Sequence, residues 1–260
     1  MMTAAANETA QMTAARPVNV ISVGDIQPWL QAGVADIARR PLLSLGYGAL
    51  ITVALVAAMA LIVQFPLFVT GYLTGILLIG SFLATGFYAI SRANAEQTPI
   101  GLWRVLTAWR QNPSGFGLFA VLLSLILIAW IRLTSLIVAL ELVGFYPSYA
   151  ALFSTMLTPG GVALAGVLGL AGAALATLCF MLSVVSLPMM ASERVSPIVA
   201  VVTSVQAVRA NIWPMLVWAM TIVALMIIGI VTVIGLLLIL PLLGHASWHA
   251  YRRLATRQGD

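Results

Sequence analysis

Apolar runs long enough to cross a bilayer alternate along the chain with short segments that carry nearly all of its charge. A hydrocarbon core of about 30 Å takes about 20 residues of helix at about 1.5 Å each. Runs at 42–63, 67–90, 115–140 and 162–187 fit that length, and the pattern predicts a spanning helix for each. The last run, Trp213 to Tyr251, has no charge before Arg252-Arg253. As one helix it would extend roughly 60 Å, twice the core. A fold-back near Gly229-Ile-Val-Thr-Val-Ile-Gly235 is therefore expected, giving spans 213–231 and 235–253. The expectation is an all-α polytopic membrane protein, with six transmembrane helices paired as three hairpins.

The intervening segments have a pattern of their own. Asp25 to Arg40 reads as a surface helix, with Asp25 or Gln27 as cap and Pro28 in the first turn. Ile26, Leu30, Val34 and Ile37 would share its apolar face. Thr98-Pro99 opens a second such helix, closing at Asn112-Pro113, in which Leu102, Trp103, Leu106 and Trp109 face one way. Indoles on such a helix belong at headgroup depth. Ser196-Pro197-Ile198 repeats Thr98-Pro99-Ile100, and Ala207-Val-Arg209-Ala-Asn211 repeats Ala108-Trp-Arg110-Gln-Asn112, with a slip of one residue between the two matches. Pro28 to Arg39 is a weaker third copy. Each hairpin is thus expected to follow a short amphipathic interfacial helix, in a pseudo-threefold plan. Residues 1–24 read as a disordered cytoplasmic tail, 25–254 as the six-span domain and 255–260 as a second tail.

Small residues suggest where helices approach closely in lipid. The second span carries Gly71-x-x-x-Gly75 and a polar seam of Thr70, Thr74, Ser81 and Thr85. The fourth carries the stripe Gly161, Ala165, Gly169, Ala173, Thr177, expected to be the best close-packing face in the chain. An aromatic loop, Phe145-Tyr146-Pro147-Ser-Tyr149 and Phe153, is expected to rest on the far leaflet.

Composition agrees with lipid as the solvent: 62% of residues are hydrophobic and 7% charged, against roughly 25% charged in a soluble domain. The net charge of +5 comes from arginine alone, since the chain has no lysine. With six spans, Arg39, Arg40, Arg92, Arg104, Arg110, Arg194, Arg209, Arg252, Arg253 and Arg257 fall on one side, which the positive-inside rule makes cytoplasmic, with both termini. The basic excess suits anionic headgroups; no basic run interleaved with aromatics in a polar domain suggests nucleic acid. The single cysteine, Cys179, has no partner for an intrachain disulfide and reads as a small core residue.

Candidate chemistry is sparse. His245 and His249 share a helix face at i and i+4, a spacing able to hold a metal or a haem edge. Two ligands make a weak site, and Asp36, Glu96 or Glu193 would have to complete it. Alternatively the imidazoles sit at headgroup level beside Trp248 and Tyr251, bonding backbone or phosphate. Arg132 lies within a span, where a charge costs about 2.5–3.5 kcal/mol, so it either snorkels outward or is a functional charge. Glu141, nine residues on, is half a turn out of phase with it. Glu193-Arg194 reads as a solvated boundary pair. No phosphate-binding glycine loop, nucleophile elbow or zinc-protease helix motif occurs, so neither enzymatic activity nor a cofactor is expected.

Three motifs carry a resemblance: Pro41-Leu-Leu-Ser44-Leu-Gly-Tyr47-Gly48, Gly86-Phe-Tyr88-Ala-Ile-Ser91-Arg92, and Trp213-Pro214-Met215 with Pro241-x-Leu-Gly244-His245-Ala-Ser-Trp248-His249-Ala-Tyr251-Arg252. In these the chain, from Trp29 to Arg253, resembles the uncharacterised bacterial integral membrane proteins of the domain of unknown function 2189 (DUF2189). The resemblance implies a multi-pass protein of the bacterial inner membrane and supplies no activity. Some members are likened to cytochrome oxidase subunit I, which binds haem and copper through several histidines; this chain has two. The reading preferred from these features is a non-enzymatic scaffold or accessory subunit, in contact with lipid and with other membrane proteins or copies of itself. The alternatives are a small-solute transporter or channel using the polar seam and Arg132, and a metal- or haem-binding protein using His245 and His249.

Overall fold

The computed structural model describes residues 16–64, 82–141, 154 and 157–255. Among them the regular elements are helical: α1 (Ile26–Arg39), α2 (Pro41–Ile62), α3 (Thr85–Ala95), α4 (Leu102–Leu106), α5 (Pro113–Glu141), α6 (Pro159–Ser183), α7 (Ser186–Ser192), α8 (Pro197–Ala210), α9 (Ile212–Thr232) and α10 (Leu236–Ala255). Short 3₁₀ turns occupy Val23–Asp25 and Ala108–Gln111. Four stretches are long and apolar enough to cross a membrane: Pro41–Leu61, Pro113–Ile137, Pro159–Ser192 and Ile212–Thr232. The Gly71/Gly75 pair, the seam residues Thr70, Thr74 and Ser81, and the aromatic loop lie outside the described residues.

The fold-back expected after residue 231 is present. α9 ends at Thr232, Val233 adopts φ 56° and ψ −56°, and Ile234 N–H donates to the Thr232 carbonyl at 2.6 Å. Thr232 Oγ1 accepts the Gly235 N–H at 3.2 Å before α10 begins.

Two compact units can be distinguished. Unit 1 comprises Met1–Thr52, Ser81–Phe119 and Phe180–Asp260. Its centre is α10, which packs most extensively on α1 and then on α3 and α9. Glycines permit these approaches. A β-carbon on Gly33 of α1 would lie 3.0 Å from the Leu242 carbonyl oxygen and 3.2 Å from the Ala246 nitrogen. On Gly48 of α2 it would meet Pro241 at 2.8 Å and the Leu237 carbonyl oxygen at 3.1 Å. Pro241, inside α10, has no N–H to donate to that carbonyl. A β-carbon on Gly86 would overlap the Tyr47 ring, and one on Gly244 the Phe87 ring.

The packing face of α1 differs from the one expected. Ile26, Trp29, Gly33 and Asp36 are buried, while Val34 is 57% exposed. The Ile26-Leu30-Val34-Ile37 stripe misses because closest approach to α10 is set by the absence of a side chain at Gly33. That places Trp29 against Trp218 at 5.6 Å, edge to face, and carries Asp36 inward.

Residues 16–24 of the expected tail are held against the folded chain. From Arg16 onward the chain is held along the end of α10: Asn19 N–H donates to the Leu254 carbonyl at 2.8 Å and Asn19 Nδ2 to the Arg253 carbonyl at 2.8 Å. These are carbonyls that a helix end leaves without intrahelical partners. Asp25 sits at the N-cap position of α1, but its carboxylate turns back to accept from Ser22 N–H at 2.8 Å and Ser22 Oγ at 2.9 Å.

The internal repeat recurs in the backbone. Arg40 (φ −138°, ψ 63°), Asn112 (φ −142°, ψ 68°) and Asn211 (φ −133°, ψ 42°) each break the helical path one residue before a spanning helix starts. The middle copy is not one helix, since α4 ends at Leu106, the hydroxyl of the next residue, Thr107, donates back to the Trp103 carbonyl at 2.7 Å, and a 3₁₀ turn follows. Leu102, Trp103, Leu106 and Trp109 are all exposed, on two elements rather than along one helix.

Unit 2 comprises Val53–Gly80 and Ala120–Cys179. Here α5 and α6 meet where the Trp130 indole lies over Gly172, 3.1 Å from the position of a β-carbon. Beyond Gly161 the small-residue stripe is not the packing face: Gly161 is buried with Leu164 and Cys179, but Ala165, Gly169, Ala173 and Thr177 are exposed. The large indole needs the one gap that Gly172 opens, and this rotates the stripe away from α5.

Candidate functional site

α10 brings two histidines into a polar node built from four helices. Its face carries His245, which is fully buried, and one turn on His249, which is 26% exposed at its side chain. Asp36 of α1, 2% exposed, accepts a hydrogen bond from His249 Nε2 at 2.8 Å. Asn94 of α3 donates Nδ2 to Asp36 Oδ1 at 3.0 Å. His245 has a serine on each ring nitrogen: Ser91 Oγ of α3 at 2.7 Å from Nδ1, and Ser44 Oγ of α2 at 3.0 Å from Nε2. The Asp36 carboxylate, 4.0 Å from His245 Nδ1, favours the tautomer with the proton there. Nδ1–H then donates to Ser91, and Nε2 accepts from Ser44. The Tyr47, Phe87 and His245 rings stack edge to face behind this node, at 4.8 Å and 5.5 Å.

Electrostatics keep the carboxylate ionised. Burial pushes the Asp36 carboxyl up, but hydrogen bonds from His249, Ser91 and Asn94, with the charge on His249, together hold it below the ordinary carboxylate value. Arg39, exposed on the same helix, lies 3.7 Å from Asp36 Oδ1.

A second polar cluster joins Glu193 to the last turns of α10. Tyr251 Oη donates to Glu193 Oε1 at 2.8 Å, and Arg16 clasps the same carboxylate, with Nη1 3.0 Å from Oε1 and Nη2 on Oε2. The Arg16 amide donates to Thr203 Oγ1 at 3.2 Å. Trp248 donates Nε1 to Ser192 Oγ at 3.2 Å, and the Arg252 guanidinium stacks over its indole at 5.2 Å.

The sequence-derived candidates therefore separate. His245 and His249 share one node with Asp36, the only one of the three suggested carboxylates to reach them; Glu96 pairs with Arg92, and Glu193 with Arg16. Glu193, Trp248 and Tyr251 lie in the second cluster, so Glu193-Arg194 is not a simple solvated pair. The histidines bond side chains rather than backbone, although His249 does lie edge-on to Trp248 at 5.0 Å. Among the described residues no group of three or more His, Cys, Asp or Glu converges to hold a metal ion. Both nitrogens of His245 are already engaged by serines. Arg132 belongs to unit 2, on an exposed face of α5, and makes no ion pair with a described residue. The Glu141 side chain lies outside the described residues.

Ser44, Ser91, Asn94 and Arg16 were not singled out from the sequence. A signal for two of them existed. Ser44 and Ser91 lie in the Pro41–Gly48 and Gly86–Arg92 motifs, which the fold brings against the Gly244-His245 motif. The Pro41–Gly48, Gly86–Arg92 and Pro241–Arg252 motifs thus pack on one another, whereas Trp213 is exposed.

Neither a curated protein nor a solved structure matches the chain. A family match covers Gly86–Arg92 but is narrower than the Trp29–Arg253 span expected, leaving out the Pro41–Gly48 and C-terminal motifs. Over residues 67–192 the chain matches the family DUF2189, described as a predicted integral membrane protein.

Proposed function

We propose that the protein is a non-enzymatic scaffold or accessory subunit of the bacterial inner membrane, crossing it six times with both termini in the cytoplasm. The observation that carries this reading is that the polar groups of the candidate site are used on one another. His245 is fully buried with a serine on each nitrogen, and Asp36 is 2% exposed with His249 and Asn94 as partners. A node of this kind fixes four helices in one arrangement and leaves no nucleophile or open ligand position toward a substrate.

The six-span plan is supported by α10 itself. Its C-terminal half is too polar to face lipid, but that half is covered by protein: Gly244, His245, Ala246, Trp248, Ala250 and Tyr251 are all buried. A helix screened from lipid by its neighbours does not need an apolar surface. Six crossings also keep the arginines of Arg39 to Arg257, apart from Arg132, on one side.

Purification from native membranes, with partner, metal and lipid analysis of the same sample, tests the proposal. A defined membrane-protein partner, recovered in fixed ratio, is the expected result. Solute flux in proteoliposomes that is abolished by Arg132→Ala would replace the scaffold by a transporter. Bound metal or a haem absorbance lost on His245→Ala would replace it by the third reading. A reporter fused after Asp260 that is active on the outer face would refute the topology.

A further inference from the structure

The arginines of unit 1 fall into two classes. Arg16, Arg39, Arg92 and Arg253 each pair with an acid, Arg40 donates to the Thr98 carbonyl at 2.6 Å, and Arg252 stacks on Trp248. Arg104, Arg110, Arg194 and Arg209 are exposed and have no ion pair or hydrogen-bond partner among the described residues. Their placement is not scattered. Arg110 and Arg209 stand at the same point of the repeat, two residues before the breaks at Asn112 and Asn211 that open α5 and α9. Each is flanked by exposed aromatic surface: Trp103 at 71% and Trp109 at 42% exposure in the middle copy, Trp213 at 73% in the last.

From this we infer that the lead-in segments of the second and third repeats are equivalent binding sites for the phosphate headgroups of anionic phospholipid. The argument is one of depth and charge. Both α5 and α9 begin stretches able to cross the membrane, so a residue just ahead of either lies at the headgroup level. Indoles at that level bury one edge among acyl chains and place the guanidinium beside them at the phosphates. From Gln97 to Leu140, and again from Arg194 to Gly259, the chain has no acid to neutralise these arginines. The nearest, Glu96, is held by Arg92 Nε at 2.7 Å, and Arg92 in turn donates to Gln111 at 3.2 Å. In the first copy the position two residues before the break is Ala38, and the neighbouring arginines are engaged, since Arg39 faces Asp36 and Arg40 bonds the Thr98 carbonyl. Two sites, not three, follow from that difference. A phosphodiester presents the acceptor oxygens that a guanidinium fork takes, and an anionic headgroup leaves its charge unneutralised where a zwitterionic one does not. The inference rests on the membrane assignment and not on the scaffold reading.

The test is native mass spectrometry of the full-length protein in detergent, titrated in parallel with phosphatidylglycerol and phosphatidylcholine. The wild type should retain phosphatidylglycerol preferentially. Arg110→Ala and Arg209→Ala should each weaken that retention by about fivefold. Lysine at both positions should keep most of the preference, because the charge remains. Equal retention of the two lipids by the wild type overturns the proposal before any variant is made. An unchanged preference in a folded Arg104→Ala, Arg110→Ala, Arg209→Ala variant also overturns it, as does displacement of phosphatidylglycerol by millimolar inorganic phosphate, which would mark a site for the free anion.

Discussion

At Asp36 two effects oppose each other: burial favours the neutral acid, and the hydrogen bonds of His249, Ser91 and Asn94 favour the carboxylate. The hydrogen bonds win, so the folded protein binds this proton more weakly than the unfolded chain. Linkage then fixes the sign. Stability from Asp36 is fully present above the unfolded value near 3.8 and is lost as pH falls through the lower folded value. Asp36→Asn should cost about 2 kcal/mol at neutral pH, because His249 and Ser91 lose a charged acceptor. It should also remove part of the acid loss of stability, and thermal unfolding followed from neutral pH to about pH 3 measures both. A variant as stable as the wild type at pH 7 would mean the carboxylate is incidental to the node. Little of this was legible beforehand. His245 and His249 stood out by rarity and spacing, but Ser44, Ser91 and Asn94 are common residues whose importance depends on which helices cross. Asp36 was one of three acids, and nothing local distinguished it from Glu96 or Glu193.

Among the elements, glycine decides the helix faces. At Gly33 a β-carbon would press on the backbone of α10 at 3.0 and 3.2 Å, and backbone cannot yield as a flexible side-chain end can. Gly33→Ala should therefore destabilise by about 1–3 kcal/mol. Gly46→Ala, on α2 with nothing within 4 Å, should be neutral or raise stability by up to about 1 kcal/mol through helix propensity. A differential scan of both variants checks the contrast; equal effects would mean that α1 does not pack on α10 through this face. The turn between α9 and α10 offers the opposite case. Val233 holds φ 56°, a region that β-branched residues rarely adopt, with an i to i+2 hydrogen bond beside it. Val233→Gly should raise the melting temperature, by about 1 kcal/mol of relieved strain. These elements also show what periodicity can and cannot convey. Apolar length located the ends of α2, α5 and α9 to within a few residues, because lipid imposes that length. It misread the faces of α1 and α6, because a face is chosen by the partner helix: Gly33 admits the backbone of α10 and Gly172 the Trp130 indole, and the regular stripes beside them turn away.

For the molecule as a whole, the repeat and the N-terminal segment are joined at one asparagine. The repeat was visible as Arg110-Gln-Asn112 against Arg209-Ala-Asn211; its physical content, a matching break in the backbone before each span, was not. Asn112 uses the break to accept from Gly115 N–H at 3.1 Å and to donate to the Val195 carbonyl at 2.8 Å. Asn211 instead accepts the Ile21 N–H at 2.8 Å and donates to the Asn19 and Ala207 carbonyls, both at 3.0 Å. The last copy thus grips residues 19–21, and Asn19 in turn satisfies the final carbonyls of α10. Removing the Asn211 side chain would orphan a buried amide N–H as well as weaken this chain of contacts. Asn211→Ala should cost about 2 kcal/mol, and amides between Ile21 and Asp25 should exchange faster than in the wild type. Asn112→Ala should destabilise without changing exchange in that segment, since its partners are Gly115 and Val195. Hydrogen exchange resolved by peptide separates the two variants. Unaltered protection at residues 19–25 in Asn211→Ala would show that the N-terminal segment is held by the Arg16–Glu193 contact instead, and that the third repeat closes on α10 without it.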